Sequence, residues 1–206
     1  MNLEVQGAKQ REGVAAAGDD MSSAVVPAAT SAETPAEGAK QLVLKRLLAA
    51  HETWFDVSRD HAFGGRTFPG YAEFHSSAER YVLVKRAKLW EVNAHEYLFF
   101  VTVDRLTAQR LKDEVAFMTT KALDKVQLNP EHMTSYLSLV VVADAVDDDA
   151  RRAVKKTRFR KNFKLGFQGW ADLRLAVVDL SMSSIVTNAM GKELRASLEA
   201  NAFGES

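Results

Sequence analysis

Tyr136-Leu-Ser-Leu-Val-Val-Val-Ala143 is the stretch on which the fold turns. Leu137, Leu139, Val140, Val141 and Val142 form an apolar run broken only by Ser138, and a strand covered on both faces has that pattern. The run is therefore expected at the centre of a sheet. Upstream, Leu111, Val115, Met118, Ala122 and Val126 advance by three and four, which predicts a helix over about 106–127, stopped by Asn129-Pro130. Downstream, Asp147, Asp148 and Asp149 open a short helix that closes with Lys155 and Lys156, acids and bases matching the helix dipole. A strand is expected near 163–167 and a stronger one over 171–180. A turn at 181–184, a short strand at 185–187 and a helix over about 192–200 follow.

The first half of the domain reads differently. Leu44, Leu47, Leu48, His51 and Phe55 make one helical stripe over about 40–55. Residues 57–63 and 66–75 flank Gly64-Gly65, a pair suited to a tight hairpin because glycine accepts positive φ. Pro69-Gly70 demotes the start of the second strand to an edge or a bulge. Residues 80–91 read as a long strand, with Tyr81, Leu83, Ala87 and Leu89 on one face, and 96–103 as another after a turn at Asn93. Short links imply an antiparallel four-strand meander. The expected class is α+β: an N-terminal helix, the meander, then helices alternating with further strands in one compact domain over 39–206.

Residues 1–38 lie outside that expectation. They hold two basic and six acidic side chains, nine alanines, Pro27 and Pro35, and no aromatic residue. Such a segment cannot bury enough apolar surface to offset its ordering entropy, so it is read as a disordered acidic, Ala-rich tail. Its longest uncharged run, 21–32, is Ser-rich and follows Asp19-Asp20, unlike a secretory signal. The remaining residues carry 25 basic against 21 acidic side chains, although the 206-residue chain balances at 27 and 27. Zero cysteines exclude disulfides, thiolate zinc sites, iron–sulfur clusters and cysteine nucleophiles. A mean hydropathy of −0.18 with scattered charge argues against a membrane span, and without a secretory signal the chain is expected in the cytoplasm, with no membrane partner.

Motif-bearing enzymes fail on inspection. Gly191-Lys192 lacks the earlier glycine of a phosphate loop, since Val186 stands there, and Gly166 and Gly169 complete no dinucleotide fingerprint. His51-Glu52 and His95-Glu96 begin zinc-protease patterns, but Phe55 and Phe99 replace the second histidines. The helix–strand–strand–strand–helix–strand order resembles the nuclease fold that uses an acidic-x-Lys pair. No Asp-x-Lys or Glu-x-Lys occurs, and Asp172-x-Arg174 is the nearest imitation. Glu73 and His75, two apart on one strand, could reach one ion, but no third ligand is identifiable, and a solvated strand face is the plainer reading. No metal or cofactor is called for.

The densest composition signal is residues 151–164. Arg151, Arg152, Lys155, Lys156, Arg158, Arg160, Lys161 and Lys164 occur there without an acid, interleaved with Phe159 and Phe163 and followed by Phe167 and Trp170. Cations on phosphates and exposed aromatics for stacking would suit nucleic acid. The alternative is a solvated surface above core aromatics, with Asp144, Asp147, Asp148 and Asp149 neutralising part of the charge; Phe163 is expected to point inward.

Arg80-Tyr-Val-Leu-Val-Lys-Arg-Ala-Lys-Leu-Trp90, His95-Glu-Tyr97, Glu131-His-Met133, Leu139-Val-Val-Val-Ala-Asp144, Lys161-Asn-Phe163 and Gly169-Trp-Ala-Asp-Leu-Arg174 resemble stretches of an uncharacterised family of bacterial cytoplasmic proteins, a domain of unknown function. The resemblance spans about 40–195 and implies a single domain without any assigned activity. Two function classes follow. One is a non-catalytic module binding protein or nucleic acid through the basic segment. The other is an enzyme with a dispersed polar site drawn from Glu73, His75, His95, Glu96, Asp172 and Arg174, a degenerate nuclease-like fold being one form of it.

Overall fold

The computed structural model describes residues 35–75, 94–128 and 132–204. Helix α1 (Pro35–His51) buries Val43, Leu44, Leu47 and Leu48 along the expected stripe. Strands β1 (Asp56–Phe63) and β2 (Arg66–His75) form the hairpin, and Gly64 and Gly65 turn it with φ of 60° and 81°. Strand β3 (Ala94–Leu106) pairs antiparallel with β2. Thr107 then caps α2 (Ala108–Thr120), its hydroxyl accepting from the Arg110 amide at 3.1 Å. A 3-10 turn (Lys121–Lys125) leads towards β4 (Thr134–Val146), followed by α3 (Asp148–Lys156), β5 (Arg160–Asn162), β6 (Trp170–Asp179) and β7 (Ser184–Thr187). A second 3-10 turn (Met190–Leu194) runs into α4 (Arg195–Phe203).

The class is α+β, built on one seven-stranded mixed sheet in the order β1-β2-β3-β4-β6-β5, with β7 also paired to β6. The β1–β2 and β2–β3 ladders are antiparallel, whereas β3–β4 and β4–β6 are parallel, so the chain must cross over between those strands through α2 and α3. Side-chain alternation splits the core in two. Tyr97, Phe99, Leu137, Leu139, Val141 and Leu175 face Leu111, Met118 and Val154 of α2 and α3. Leu98, Phe100, Val140, Val142 and Ala176 face α1 and α4 instead. Central β4 is thus apolar on both faces, as its sequence requires.

Strands β5 and β7 share the outer edge of β6, and Asn188 fills the gap between them. Its Oδ1 accepts from the amides of Leu175 (3.0 Å) and Gly191 (2.7 Å), its Nδ2 donates to the carbonyls of Leu173 (2.9 Å) and Thr157 (3.3 Å), and its own amide donates to the Leu175 carbonyl (3.0 Å). One buried side chain completes the β6 edge where no strand does.

Several expectations change. The strand expected at 80–91 and Asn129-Pro130 lie outside the described residues, and three meander strands stand within them. The helix expected to reach 127 ends as α-helix at Thr120. No strand spans 163–167: β5 ends at Asn162 and a 3-10 turn occupies Lys164–Gly166. The reason is glycine, since Gly166 and Gly169 take φ of 96° and 70°, and a Cβ on Gly169 would stand 2.1 Å from the Met133 carbonyl oxygen. Pro69 is accommodated as expected. The β2–β3 ladder begins only at Gly70, and opposite Pro69 the β1 ladder skips Asp60, whose φ is 51°. No described helix is long and apolar enough to cross a membrane.

Candidate functional site

Helix α3 turns Ala150 and Val154 into the core and leaves Arg152, Lys155 and Lys156 exposed. Arg151 points back instead and pairs with fully buried Asp179, which also accepts from the Ser181 hydroxyl at 2.7 Å. In β5, Arg160 makes a two-pronged pair with Asp172, Nε at 2.8 Å and the terminal nitrogen at 2.7 Å, and its guanidinium lies 5.2 Å from the Trp170 ring centre. That hydrogen-bonded carboxylate raises the Arg160 pKa above its ordinary value. Two of the eight cations are therefore structural. Arg152, Lys155, Lys156, Arg158, Lys161 and Lys164 are exposed and make no ion pair among the described residues.

The acids of this stretch divide, and exposed Asp148 and Asp149 stand in the first turn of α3 itself. Asp144 pairs with buried Lys40 at 2.8 Å, Asp147 with Arg105 at 2.5 Å, and Asp149 accepts from the Ala150 amide at 2.7 Å. Burial alone would lower the Lys40 pKa, but hydrogen bonds to Asp104 and Asp144 hold it above its ordinary value.

The aromatics of the segment divide. Phe159 packs against the core, and half-buried Phe163 meets the His132 ring edge-on at 5.9 Å. Phe167 is 88% exposed and Leu165 is 96% exposed. Lys164 and Leu165 both adopt left-handed backbone, with φ of 45° and 57°, which costs about 1–2 kcal/mol per residue. Buried His132 anchors the loop: its Nδ1–H donates to the Gln168 carbonyl at 2.7 Å, and Nε2 is hydrogen-bonded with the Ser135 hydroxyl at 2.9 Å. Sequence reasoning missed Leu165 and His132. The Gly166/Gly169 spacing was the available signal, because it marks a turn whose middle residues cannot all be buried.

The dispersed candidates whose side chains are described divide between the two faces of the sheet, and only Glu96 and Arg174 pair with each other. Strand alternation puts Glu73 and His95 on the face of Tyr97, and Glu96, Asp172 and Arg174 on the face of Leu98. The His75 side chain lies outside the described residues; its backbone pairs with His95. On the first face, Glu73 accepts from the Tyr71 hydroxyl at 2.6 Å and lies 3.7 Å from Lys125, whose ammonium sits 4.5 Å from the Tyr71 ring centre. Burial, then Glu73, pushes Tyr71 far above its ordinary pKa, and burial pushes Tyr97 up to about 12, so neither phenol yields a proton near neutrality. His61 stacks on Tyr71 at 4.0 Å, and burial and Lys125 lower its pKa. The His95 ring lies parallel to that of His132 at 6.2 Å.

On the second face, Glu96 accepts from the Ser138 hydroxyl at 2.5 Å and from Arg174 at 3.0 Å, and the Arg174 guanidinium lies 3.5 Å from the Tyr136 ring centre. Arg174 is buried, and its Nε has no hydrogen-bond partner among the described residues. His95 therefore lies on the opposite face of the sheet from Glu96, Asp172 and Arg174. No three His, Asp or Glu side chains come together with metal-holding geometry among the described residues. Among the described residues the elements follow the order α1-β1-β2-β3-α2-β4.

A family model described as a domain of unknown function (DUF8052) matches residues 39–200. No curated protein and no solved structure matches the chain.

Proposed function

The chain belongs to the DUF8052 family, a domain of unknown function, and from that premise we propose that it is a non-catalytic binding module that takes an anionic macromolecule through residues 151–164. One observation carries the reading: six exposed cations on α3, β5 and the turns beside them make no ion pair among the described residues, while Asp144 and Asp147 pair with Lys40 and Arg105. A surface whose charges are uncompensated attracts a polyanion and releases its counterions. A cytoplasmic setting in a bacterium belongs to the same reading, supported by the cysteine-free sequence and the resemblance of residues 40–195 to bacterial cytoplasmic proteins.

Titrating the full chain with heparin at several salt concentrations tests this. Affinity is expected to fall steeply with salt. Replacing Arg158, Lys161 and Lys164 by Gln together should flatten the log–log salt slope by roughly 2–3, near one per cation, with melting unchanged. Absence of heparin binding even at low salt would remove the reading.

The division at residue 38 is part of the proposal. Among the described side chains of α1 the first buried one is Lys40, followed by Val43 and Leu44, so a chain beginning at Ala39 keeps every described core contact. It should melt cooperatively within a few degrees of the full chain, and loss of the cooperative transition would show that residues 1–38 stabilise the fold.

The second reading, an enzyme, rests on the Glu96–Ser138–Arg174 cluster and the unpartnered Arg174 Nε. It lacks a histidine beside those groups, so the binding reading is preferred.

A further inference from the structure

We propose that the tip of the 163–169 loop is a docking element for an acidic protein segment that carries apolar side chains of its own. This rests on the binding function proposed above and narrows its partner. Leu165 and Phe167 are the most exposed large apolar side chains of the described residues, at 96% and 88%, with Met133 beside the loop at 52%. A floppy loop could expose them incidentally, but this loop is held. The Gly166 amide donates to the Phe163 carbonyl at 2.8 Å, the Phe163 amide to the Gly169 carbonyl at 3.0 Å, and the Trp170 amide to the Met133 carbonyl at 3.1 Å. Buried His132 fastens the Gln168 carbonyl from beneath. The left-handed backbone at Lys164 and Leu165 is strain that these bonds maintain, and strain retained in a surface loop points to function. A rigid tip also loses little entropy on binding.

The chemistry selects the occupant. Lys161 and Lys164 flank the tip and call for carboxylates or phosphates. Leu165 has no π-face, so a nucleotide base would use Phe167 and leave the most exposed side chain in water. A protein segment with apolar side chains set among Asp and Glu satisfies both features at once.

The test uses the full chain and three labelled probes: two acidic peptides of equal length and charge, one with Leu and Phe between its acids and one with Ser and Gly there, and an oligothymidylate. The apolar peptide is expected to bind at least about tenfold more tightly than the polar one. A Leu165→Ser/Phe167→Ser variant should bind the two equally, with unchanged melting and unchanged heparin affinity. Equal binding of both peptides by the wild type would overturn the proposal, as would discrimination that survives in the double variant. So would tighter, Phe167-dependent binding of oligothymidylate, or self-association of the chain that the double variant abolishes. Heparin binding without peptide discrimination defeats this proposal alone, whereas failure with every anionic probe defeats the binding function itself.

Discussion

Val141→Asp is expected to yield no folded protein. Val141 is fully buried at the middle of β4, in register with Val101 of β3 and Val177 of β6, and all three face the core under α2 and α3. Its ladder neighbours Val101 and Val177 are apolar, and the cations that reach the same core, Arg66 and Lys125, lie against the rings of Phe68 and Tyr71. An unpaired carboxylate there costs several kcal/mol even after it protonates to escape its charge, against a total stability of about 5–15 kcal/mol. The damage cannot be confined, because β4 carries parallel ladders on both sides. Val141→Ala is the companion variant. It removes two methyl groups, should cost about 2–3 kcal/mol, and should keep a cooperative melt at lower temperature. Circular dichroism of the soluble fraction reads both, and a soluble Val141→Asp variant with wild-type melting would show that this strand is not central.

That strand was legible because burial on both faces writes itself into consecutive residues. The Gly64-Gly65 hairpin was legible for an equally local reason, since two positive φ values in succession favour two glycines. Parallel pairing of β3 with β4 and of β4 with β6 was not written locally: an apolar strand has no polar face to reveal the direction of its neighbours. The region at 163–167 misled for the opposite reason. Phe163, Leu165 and Phe167 alternate as strand residues do, and their period outweighed Gly166 and Gly169, although it is the glycines that shape the backbone.

The site shows the same division between local and distant causes. The cationic character of 151–164 is composition and could be read directly. Which cations are spent on structure depends on partners far along the chain: Arg151 meets Asp179, twenty-eight residues on, and Arg160 meets Asp172 across the β5–β6 ladder. The dispersed catalytic candidates could have been divided sooner. His95 and Glu96 are adjacent on one strand, so they face opposite sides of the sheet, and no single cleft on one face gathers both. Buried Lys40 is the reverse case. Nothing around it in the sequence announces burial, and its position follows from Asp104 and Asp144 at the ends of β3 and β4.

Replacing Asn188 should be the most informative polar substitution, because two variants of this one side chain make opposite demands. Asn188→Ala removes four side-chain hydrogen bonds and strands the buried amides of Leu175 and Gly191 and the Leu173 carbonyl. Each stranded group costs about 1–3 kcal/mol, with some relief from local movement, so a loss of about 3–5 kcal/mol is expected, equal at acid and neutral pH. Asn188→Asp keeps both acceptor contacts but can donate to the Leu173 carbonyl only while protonated. Ionised, it sets a buried negative charge against the carbonyls of Leu173 and Thr157. Its carboxyl pKa in the folded state is therefore raised above the unfolded value of about 3.9. A raised pKa contributes stability that is fully present below the unfolded pKa and is lost as pH rises through the folded one. Asn188→Asp should accordingly approach the wild type at acid pH and fall towards or below Asn188→Ala at neutral pH. Urea denaturation of the three proteins at about pH 4 and about pH 7, each compared with wild type at the same pH, reads the crossing. A parallel fall for both variants would mean that Asn188 serves by shape alone, and a loss under about 1 kcal/mol for Asn188→Ala would mean that the β6 edge finds its partners elsewhere.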